Sequence, residues 1–269
     1  MERVLAGARP QTLCVAVSGG SDSLALLALT CDWARPSIAV TAVTVDHGLR
    51  DGSAAAHDVL RWQGWDGSGN LQAEARSARR NLISGHCAAR GIDAVLLGHT
   101  RDDQAETVLM RLARGSGVDG LAAMSAGQFG KTLFLRPLLQ ETREDLRGYL
   151  TARGLAWAED PSNEDPRFER VRMRHAMAEL GIDTARLAET ASAMARARIA
   201  LEKRAQDVAQ AIVTEKNGIV SFDAAALART EEETRLRLVA HALKCLSSAR
   251  YRPRLQTLSG TLAKALDGQ

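Results

Sequence analysis

The chain has 269 residues, of which 25% are charged and 45% hydrophobic, and its formal net charge is +3. These values are ordinary for a globular protein, and they permit nucleic-acid binding without requiring it. No apolar run reaches the roughly 20 residues of a membrane span, and the first residues lack the apolar stretch of a signal peptide, so we expect a cytoplasmic protein without a membrane partner. The four cysteines are scattered without a Cys-x-x-Cys pair, which argues against a zinc site, an iron–sulfur cluster or a disulfide framework.

The first half of the chain predicts an α/β fold. Short aliphatic runs over residues 13–17, 38–45 and 94–97 alternate with longer helical patterns, the first of them over residues 22–34. Continuous aliphatic runs are typical of strands that are buried on both faces of a parallel sheet. Ligands of such sheets bind beyond the carboxyl ends of the strands, so we expect the functional residues in the segments that follow each strand.

The segment after the first predicted strand reads Ser-Gly-Gly-Ser-Asp-Ser. A strand, a glycine-serine loop and a helix in this order direct backbone N–H groups and a helix N-terminus at an anion. Adjacent glycines let the backbone approach phosphate oxygens, and Asp22 offers a carboxylate to a metal ion that accompanies the phosphates. The ending of a Walker loop is absent, and a serine N-cap after a flexible turn is the alternative. The predicted phosphate loop consists of Ser18, Gly19, Gly20, Ser21, Asp22 and Ser23.

Asp46 and His47 directly follow the second predicted strand. If this strand is a neighbour of the first, both side chains overlook the phosphate loop. Asp46 is then a candidate to accept a proton or to hold a substrate amine, with His47 beside it as a substrate-binding candidate. A simple turn is the alternative, because Asp and Gly are common turn residues.

An acidic segment that begins at His99 follows the strand over residues 94–97. Asp102 and Glu106 are four residues apart and share a helical face, so that they and Asp103 can gather around a magnesium ion. The alternative is a capping box of Thr100 and Asp103, with acids that complement the helix dipole. Three acids and a histidine exceed what capping needs, which favours metal and phosphate chemistry.

Arginines recur after these segments. Arg114 follows the acidic helix, where it either complements the helix dipole or stabilises a phosphate or a developing oxyanion. Further on, a loop with the acids Glu159 and Asp160 leads into closely spaced arginines. These arginines fit a strip that binds RNA phosphate, and a solvated basic helix face is the alternative. The RNA-binding candidates are Arg170, Arg172 and Arg174.

The last third of the chain is rich in alanine, arginine and leucine and predicts helices over residues 185–213, 231–246 and 253–266. A short strand-like piece covers residues 218–222. We place the domain boundary near Gly181, which gives a catalytic domain over residues 1–181 and a mainly helical domain over residues 182–269.

Three blocks of the sequence, residues 18–23, 98–123 and 136–174, resemble the tRNA(Ile)-lysidine synthetases, a family of ATP pyrophosphatases in the PP-loop superfamily. The similarity extends weakly through the helical tail. It implies a parallel-sheet PP-loop domain of the adenine-nucleotide α-hydrolase type, followed by a smaller domain that contacts tRNA.

The resemblance also implies a reaction. ATP adenylates the wobble cytidine in the CAU anticodon of tRNA(Ile), pyrophosphate leaves, and the ε-amine of L-lysine attacks the activated ring carbon to give lysidine and AMP. The implied cofactors are ATP and Mg²⁺. In this reading the loop from Ser18 to Ser23 holds pyrophosphate. The implied roles are catalysis for Asp46 and Arg114, magnesium binding for Asp22, Asp102 and Asp103, tRNA binding for Arg170, Arg172 and Arg174, and substrate binding for His47, His99, Glu106, Glu159 and Asp160.

The sequence departs from the family in three places. About a dozen residues separate the strand that ends at Val45 from a strand-like run at 58–62, the lower limit for a helical crossover, so we expect the crossover helix to be shortened or lost. Arg-Arg at 79–80 and Arg-Val at 170–171 stand where the family often has Arg-Tyr and Arg-Asn. Many members continue into a further C-terminal domain, whereas this sequence stops at Gln269.

Three alternatives stand beside this interpretation. A tRNA 2-thiocytidine synthetase or a similar sulfur-transfer enzyme shares the adenylation step, but it uses paired cysteines that this sequence lacks. A synthetase that makes NAD or GMP shares the phosphate loop but should lack the block over residues 136–174. A tRNA-binding remnant without activity is the third, and the intact acids at 22, 46, 102 and 103 argue against it.

Overall fold

The structure is a computed structural model that describes residues 1, 4–5, 10–34, 36–46, 58–62, 71–247, 258–260 and 262. The chain divides into two compact units, residues 1–192 and 193–269. The division falls near the predicted domain boundary, which itself stays a prediction.

The first unit is built on a mostly parallel sheet, as the sequence predicts. Its strands are β1 (Thr12–Ala16), β2 (Ala39–Asp46), β3 (Asp58–Arg61), β4 (Ala94–Leu97), β5 (Gly127–Phe129) and β6 (Thr132–Leu135). They lie in the order β3-β2-β1-β4-β6-β5, and only β5 runs antiparallel to its neighbour. The chain moves outward from β1 in one direction and then returns to β4 on its other side. The strand order therefore reverses between β1 and β4, where ligands of such sheets bind.

In the described residues, the first unit also contains seven α-helices, two of which cover the two faces of the sheet. They are α1 (Ser21–Ala34), α2 (Leu71–Ala89), α3 (Arg101–Leu112), α4 (Val118–Leu121), α5 (Arg143–Ala152), α6 (Glu169–Glu179) and the start of α7 (Thr184–Ile212), with a 3₁₀ helix at Pro161–Glu164. Successive side chains of a strand point to opposite faces. Leu13 and Val15 of β1 accordingly pack with α1 and α5, whereas Cys14 packs with Ile83 and Cys87 of α2. Helices α1 and α2 thus lie on opposite faces of the sheet.

Strand β3 pairs in parallel with β2 at one end of the sheet. Its first residue, Asp58, contacts α2, where His86 Nε2 and Arg90 Nη2 lie 3.5 and 3.1 Å from Asp58 Oδ2. Arg90 Nη1 is 3.1 Å from His86 Nδ1. Because a guanidinium only donates, His86 Nδ1 accepts, and in the neutral ring Nε2 carries the proton. The predicted short crossover falls on residues 47–57, which lie outside the described residues.

The second unit contains the rest of α7, the hairpin of β7 (Val213–Lys216) and β8 (Ile219–Phe222), and the helices α8 (Ala224–Ala228) and α9 (Glu232–Ser247). The predicted helices over residues 185–213 and 231–246 are confirmed. The predicted third helix is described only at residues 258–260 and 262, which are helical. Over the part of the chain that the structure describes, no helix combines the length and the apolar character needed to cross a membrane.

Candidate active site

The phosphate loop joins β1 to α1. Gly19 has φ +87°, a conformation that side chains other than glycine rarely adopt. Ser23 Oγ donates to the carbonyl of Gly20 at 2.9 Å and accepts the N–H of Ser18 at 3.1 Å, which ties the loop to the first turn of the helix. The first N–H groups of a helix have no acceptor within it. The loop therefore presents a fixed helix N-terminus that suits phosphate.

A cavity of about 770 Å³ opens beside this loop, at the carboxyl ends of the strands. All loop residues except Gly19 line it. The other sequence-predicted residues that line the cavity are His99, Asp103, Glu106, Arg114, Glu159, Arg170 and Arg174. The fold thus brings together residues from three blocks that are far apart in the sequence.

Five sequence-predicted residues are not part of the cavity lining: Gly19, Asp46, Asp102, Asp160 and Arg172. Asp46 is the last residue of β2, two strands from β4, and its carbonyl accepts the N–H of Trp62 at 2.9 Å. Its neighbour Val45 does line the cavity. Arg172 Nη1 donates to the carbonyls of Pro166 and Arg167, both at 2.9 Å, so it fastens the loop before α6. His47 lies outside the described residues.

Arg143, the first residue of α5, lies at the centre of the acidic residues. Its Nε is 3.2 Å from Asp22 Oδ2, its Nη2 is 3.5 Å from Asp103 Oδ1, and its Nη1 is 3.9 Å from Glu106 Oε1. Burial opposes its charge, but Asp103, Asp22 and Glu106 outweigh burial and raise the pKa of Arg143. Sequence reasoning missed this residue. The available signal was its place in the first turn of a capped helix within the third block.

Asp103 forms the capping box that the sequence offered as the alternative, and it also lines the cavity, while its magnesium role stays a prediction. Its Oδ2 accepts the N–H of Thr100 at 2.9 Å and completes the capping box of α3. Its Oδ1 is directed at the cavity, 3.4 Å from Arg170 Nη1 and 3.5 Å from Arg143 Nη2. One oxygen thus stabilises the helix start while the other faces the ligand space.

Glu106 is a buried carboxylate in which only one of the two oxygens has a hydrogen-bond partner among the described residues. Its side chain is 1% exposed, and Oε1 accepts from Nε and Nη2 of Arg174 at 3.0 and 2.9 Å. Within the described residues, Oε2 is buried and has no hydrogen-bond partner. Burial and Asp103 raise the pKa of Glu106 more than Arg174 and Arg143 lower it. The arrangement suits a cationic ligand group that supplies the missing donor.

The three predicted magnesium ligands, Asp22, Asp102 and Asp103, do not all face the cavity. Asp22 and Asp103 line the cavity and share Arg143, whereas Asp102 Oδ2 accepts the backbone N–H of Arg143 at 2.8 Å. In the described ranges, no three His, Cys, Asp or Glu side chains are placed to hold a metal ion among themselves. Mg²⁺ commonly binds through one or two carboxylates and completes its shell with phosphate oxygens and water. Asp22 and Asp103 fit that donor set.

We expect Asp102→Asn to leave ATP-dependent activity within about threefold of wild type, because an amide oxygen still accepts the N–H of Arg143. Asp102→Ala removes this acceptor and should lower the free energy of unfolding by about 1–3 kcal/mol. Initial rates and chemical unfolding of both variants check the prediction. A large activity loss in Asp102→Asn with unchanged stability would instead support the predicted metal role.

His99 is held neutral. Burial is the main cause that lowers its pKa from 6.5 to about 4, with Arg136, Arg170 and Arg76 acting in the same direction against Asp103. The histidine therefore faces the cavity as a neutral hydrogen-bonding group at neutral pH.

This shift predicts a pH-dependent stability. As the pH falls from 6.5 toward about 4, the unfolded histidine takes up a proton that the folded one does not, so the free energy of unfolding decreases. Above this range both states are neutral and the effect is absent. We expect the free energy of unfolding of His99→Gln to fall less steeply with decreasing pH than that of wild type, by up to about 1.4 kcal/mol per pH unit. Equal pH slopes in the two proteins, measured by urea unfolding, would show that His99 is not the group responsible.

Comparisons with known proteins identify the family of this chain. Residues 1–180 match the family of PP-loop domains. The tRNA(Ile)-lysidine synthase of Ruegeria pomeroyi is 42% identical over 94% of this chain and 65% of its own length. The synthases of a Bradyrhizobium and a Methylobacterium species are 37% and 38% identical, and the chain covers 82% and 80% of their lengths.

The solved U34-tRNA thiolase NcsA of Methanococcus maripaludis aligns with a TM-score of 0.56 over 74% of this chain and 75% of its own, at 16% identity, which supports the fold alone. The chain spans from about half to just under two thirds of the length of the first three relatives, 65%, 60% and 52%. A family match over two thirds of the chain, together with relatives that align over nearly all of it, confirms the resemblance seen in the sequence. The chain therefore belongs to the PP-loop family and, within it, to the tRNA(Ile)-lysidine synthases.

Proposed function

We propose that this chain catalyses lysidine formation on tRNA(Ile) in the cytoplasm, with ATP, Mg²⁺ and L-lysine. One observation carries the proposal: the phosphate loop and the buried, half-partnered carboxylate of Glu106 line the same cavity. A nucleotide phosphate and an amine are the two groups that adenylation and amine transfer must bring together.

In the first step, the carbonyl oxygen of the wobble cytosine attacks the α-phosphorus of ATP, and the bond to the β-phosphate breaks to release pyrophosphate. The loop from Ser18 to Ser23 binds the leaving pyrophosphate through its backbone N–H groups. Asp22 and Asp103 would hold Mg²⁺, which neutralises phosphate charge. Arg143 positions these two carboxylates, since its guanidinium contacts both. Arg114, which lines the cavity, stays our predicted stabiliser of developing negative charge.

In the second step, the lysine nitrogen attacks the activated ring carbon, and AMP departs with the former carbonyl oxygen. Glu106 Oε2 accepts a hydrogen bond from the ε-ammonium, while Arg174 holds the other oxygen. A carboxylate with a raised pKa is a stronger base than an ordinary glutamate, so Glu106 is suited to receive the proton that the amine must lose. Asp46, at the end of β2, stays the base predicted from the sequence.

The direct test is the incorporation of radiolabelled lysine into tRNA(Ile) with a CAU anticodon. We expect incorporation only when ATP and Mg²⁺ are both present, with release of pyrophosphate and AMP. Release of pyrophosphate without lysine transfer, in the presence of lysine, would refute the proposal. Incorporation of sulfur would support the 2-thiocytidine alternative, although none of the four cysteines lines the cavity.

The two steps should separate in Glu106→Gln. The glutamine keeps the size of the side chain and an oxygen for Arg174, but it loses the charge that binds the amine. We expect pyrophosphate release within about fivefold of wild type and lysine transfer reduced at least about 100-fold, the range for the loss of a positioned base. The matched control is Glu141→Gln, an exposed acid outside the cavity, which should change neither rate. Equal losses in both steps would place Glu106 in adenylation instead.

A further inference from the structure

A second group of arginines lines the cavity on the side of α2. Arg76 and Arg79 come from successive turns of α2, Arg111 comes from α3, and Arg170 comes from α6. Of these four arginines, only Arg170 was predicted from the sequence to bind RNA. Helix α2 packs on the face of the sheet opposite to α1, whose N-terminus carries the phosphate loop. The cavity thus has a phosphate-binding loop on one side and a cationic wall on the other.

Arg76 differs from the cavity arginines that have acidic partners. Arg143 contacts three carboxylates, Arg174 pairs with Glu106, and Arg114 pairs with Glu169. For Arg76, the described part of the chain provides neither a hydrogen bond nor an ion pair, and its side chain is exposed to the cavity. Partial burial and then the like charges of Arg170, Arg80, Arg111 and Arg79 lower its pKa. Among the described residues, the charges that lower the pKa of Arg76 thus come from four arginines.

A cation such as Arg76, which is repelled by neighbouring arginines and has no acidic partner among the described residues, is stabilised when an anion binds beside it. The planar guanidinium is well matched to phosphate, which it binds through two parallel hydrogen bonds. The phosphate has two sources in this reaction, the nucleotide tail and the RNA backbone. In the proposed function the nucleotide phosphates bind to the phosphate loop on the α1 side, which leaves the arginines on the α2 side for the RNA backbone.

An aromatic side chain favours the RNA backbone. Phe168, which directly precedes α6 and lies two residues before Arg170, lines the same cavity and is 37% exposed. Exposed aromatic rings next to arginines are typical of sites for single-stranded RNA, in which bases stack and phosphates pair with the cations. We propose that Arg76 binds a backbone phosphate of the RNA substrate beside the nucleotide that is modified. This inference rests on the proposed function, since it takes an RNA loop as the substrate.

The test measures binding, so that it does not depend on turnover. A fluorescent anticodon stem-loop with the CAU sequence is titrated into the full chain at several salt concentrations, and ATP binding is measured separately without RNA. Arg76→Gln is compared with Lys131→Gln, which removes the same charge from an exposed turn between β5 and β6. This turn lies at the amino end of β6 and outside the cavity lining. Arg76→Lys keeps the charge without the planar fork.

We expect Arg76→Gln to weaken stem-loop binding about tenfold and to reduce the slope of log K against log salt by about 0.7, the value for one lost contact to single-stranded nucleic acid. Arg76→Lys should recover part of the affinity, and Lys131→Gln should match wild type. ATP affinity should stay within about twofold. Unchanged RNA binding in Arg76→Gln, or a loss confined to ATP, overturns the inference, as does a wild-type chain that does not bind the stem-loop.

Thermal unfolding separates this role from a structural one. Removing a cation from among like charges should raise the Tm of Arg76→Gln at low salt, and the increase should shrink at about 1 M salt, where such repulsion is screened. A lower Tm at low salt would show that Arg76 has a stabilising role in the free protein and would contradict the inference. Failure of lysine transfer by the wild-type chain would refute the proposed function, while the comparison of RNA binding would still decide the role of Arg76.

Discussion

Replacing Gly98 by alanine is expected to weaken ATP binding at least about tenfold and to lower the free energy of unfolding by about 1–3 kcal/mol. Gly98 follows β4 and packs against the first turn of α1. A Cβ atom there would lie 3.0 Å from the carbonyl oxygen of Asp22 and from the N and Cα atoms of Ser23, all of which are backbone atoms. Backbone cannot rotate away as a flexible side chain can. The first turn of α1 would have to shift, and the phosphate loop that leads into this turn would shift with it.

The measurements are calorimetric titration with ATP and chemical unfolding. Gly148→Ala is the matched control, because it makes the same change inside α5, where nothing lies within 4 Å of the added Cβ atom. Alanine is the better helix former, so this variant should gain about 0.5–1 kcal/mol and bind ATP normally. Normal ATP affinity in Gly98→Ala would show that the position of the first turn of α1 does not set nucleotide binding.

Asp22→Ala is expected to reduce ATP-dependent pyrophosphate release at least about 100-fold while leaving tRNA binding largely intact. The carboxylate is held 3.2 Å from Arg143 in the cavity, two residues after the phosphate loop glycines. Its loss removes one of the two oxygen donors that fit Mg²⁺ and leaves Arg143 with one fewer anionic partner. Because the arginines that we propose to bind RNA are elsewhere in the cavity, RNA affinity should change little.

Pyrophosphate release and binding of the anticodon stem-loop are measured on the same preparation. Asp32→Ala provides the control, since Asp32 lies on the same helix but pairs with Arg153 outside the cavity. This variant should lose some stability and keep its activity. Parallel losses of pyrophosphate release and of RNA binding in Asp22→Ala would instead indicate that Asp22 is needed for folding.

The elements that local chemistry specifies could be predicted from the sequence. Aliphatic runs bounded by polar loops give β1, β2 and β4, and the order strand, glycine-serine loop, helix gives the phosphate loop. The helical spacing of the acids in α3 was also correct, because a helix fixes which residues share a face. The similarity of three sequence blocks to one family then predicted the PP-loop fold, and the comparisons confirm this family.

The roles of individual acids and arginines could not be predicted in this way. Asp102 and Asp103 are adjacent in the sequence, yet one accepts a backbone N–H of α5 and the other faces the cavity. Arg143 and Arg76 carry no motif that distinguishes them from other arginines of the chain. Their importance depends on which side chains from distant segments stand around them.

The sequence by itself determined β1, β2, β4, the phosphate loop and the family, since these are read from patterns of residues close in the chain. Only the tertiary structure decided which charged side chains contact one another. It places Asp22, Asp103 and Glu106 around Arg143, although the acids and the arginine come from three separate helices. It also leaves Arg76 among cations. The physical reason is that electrostatic interactions depend on distance and burial, which the fold sets and the order of residues does not show.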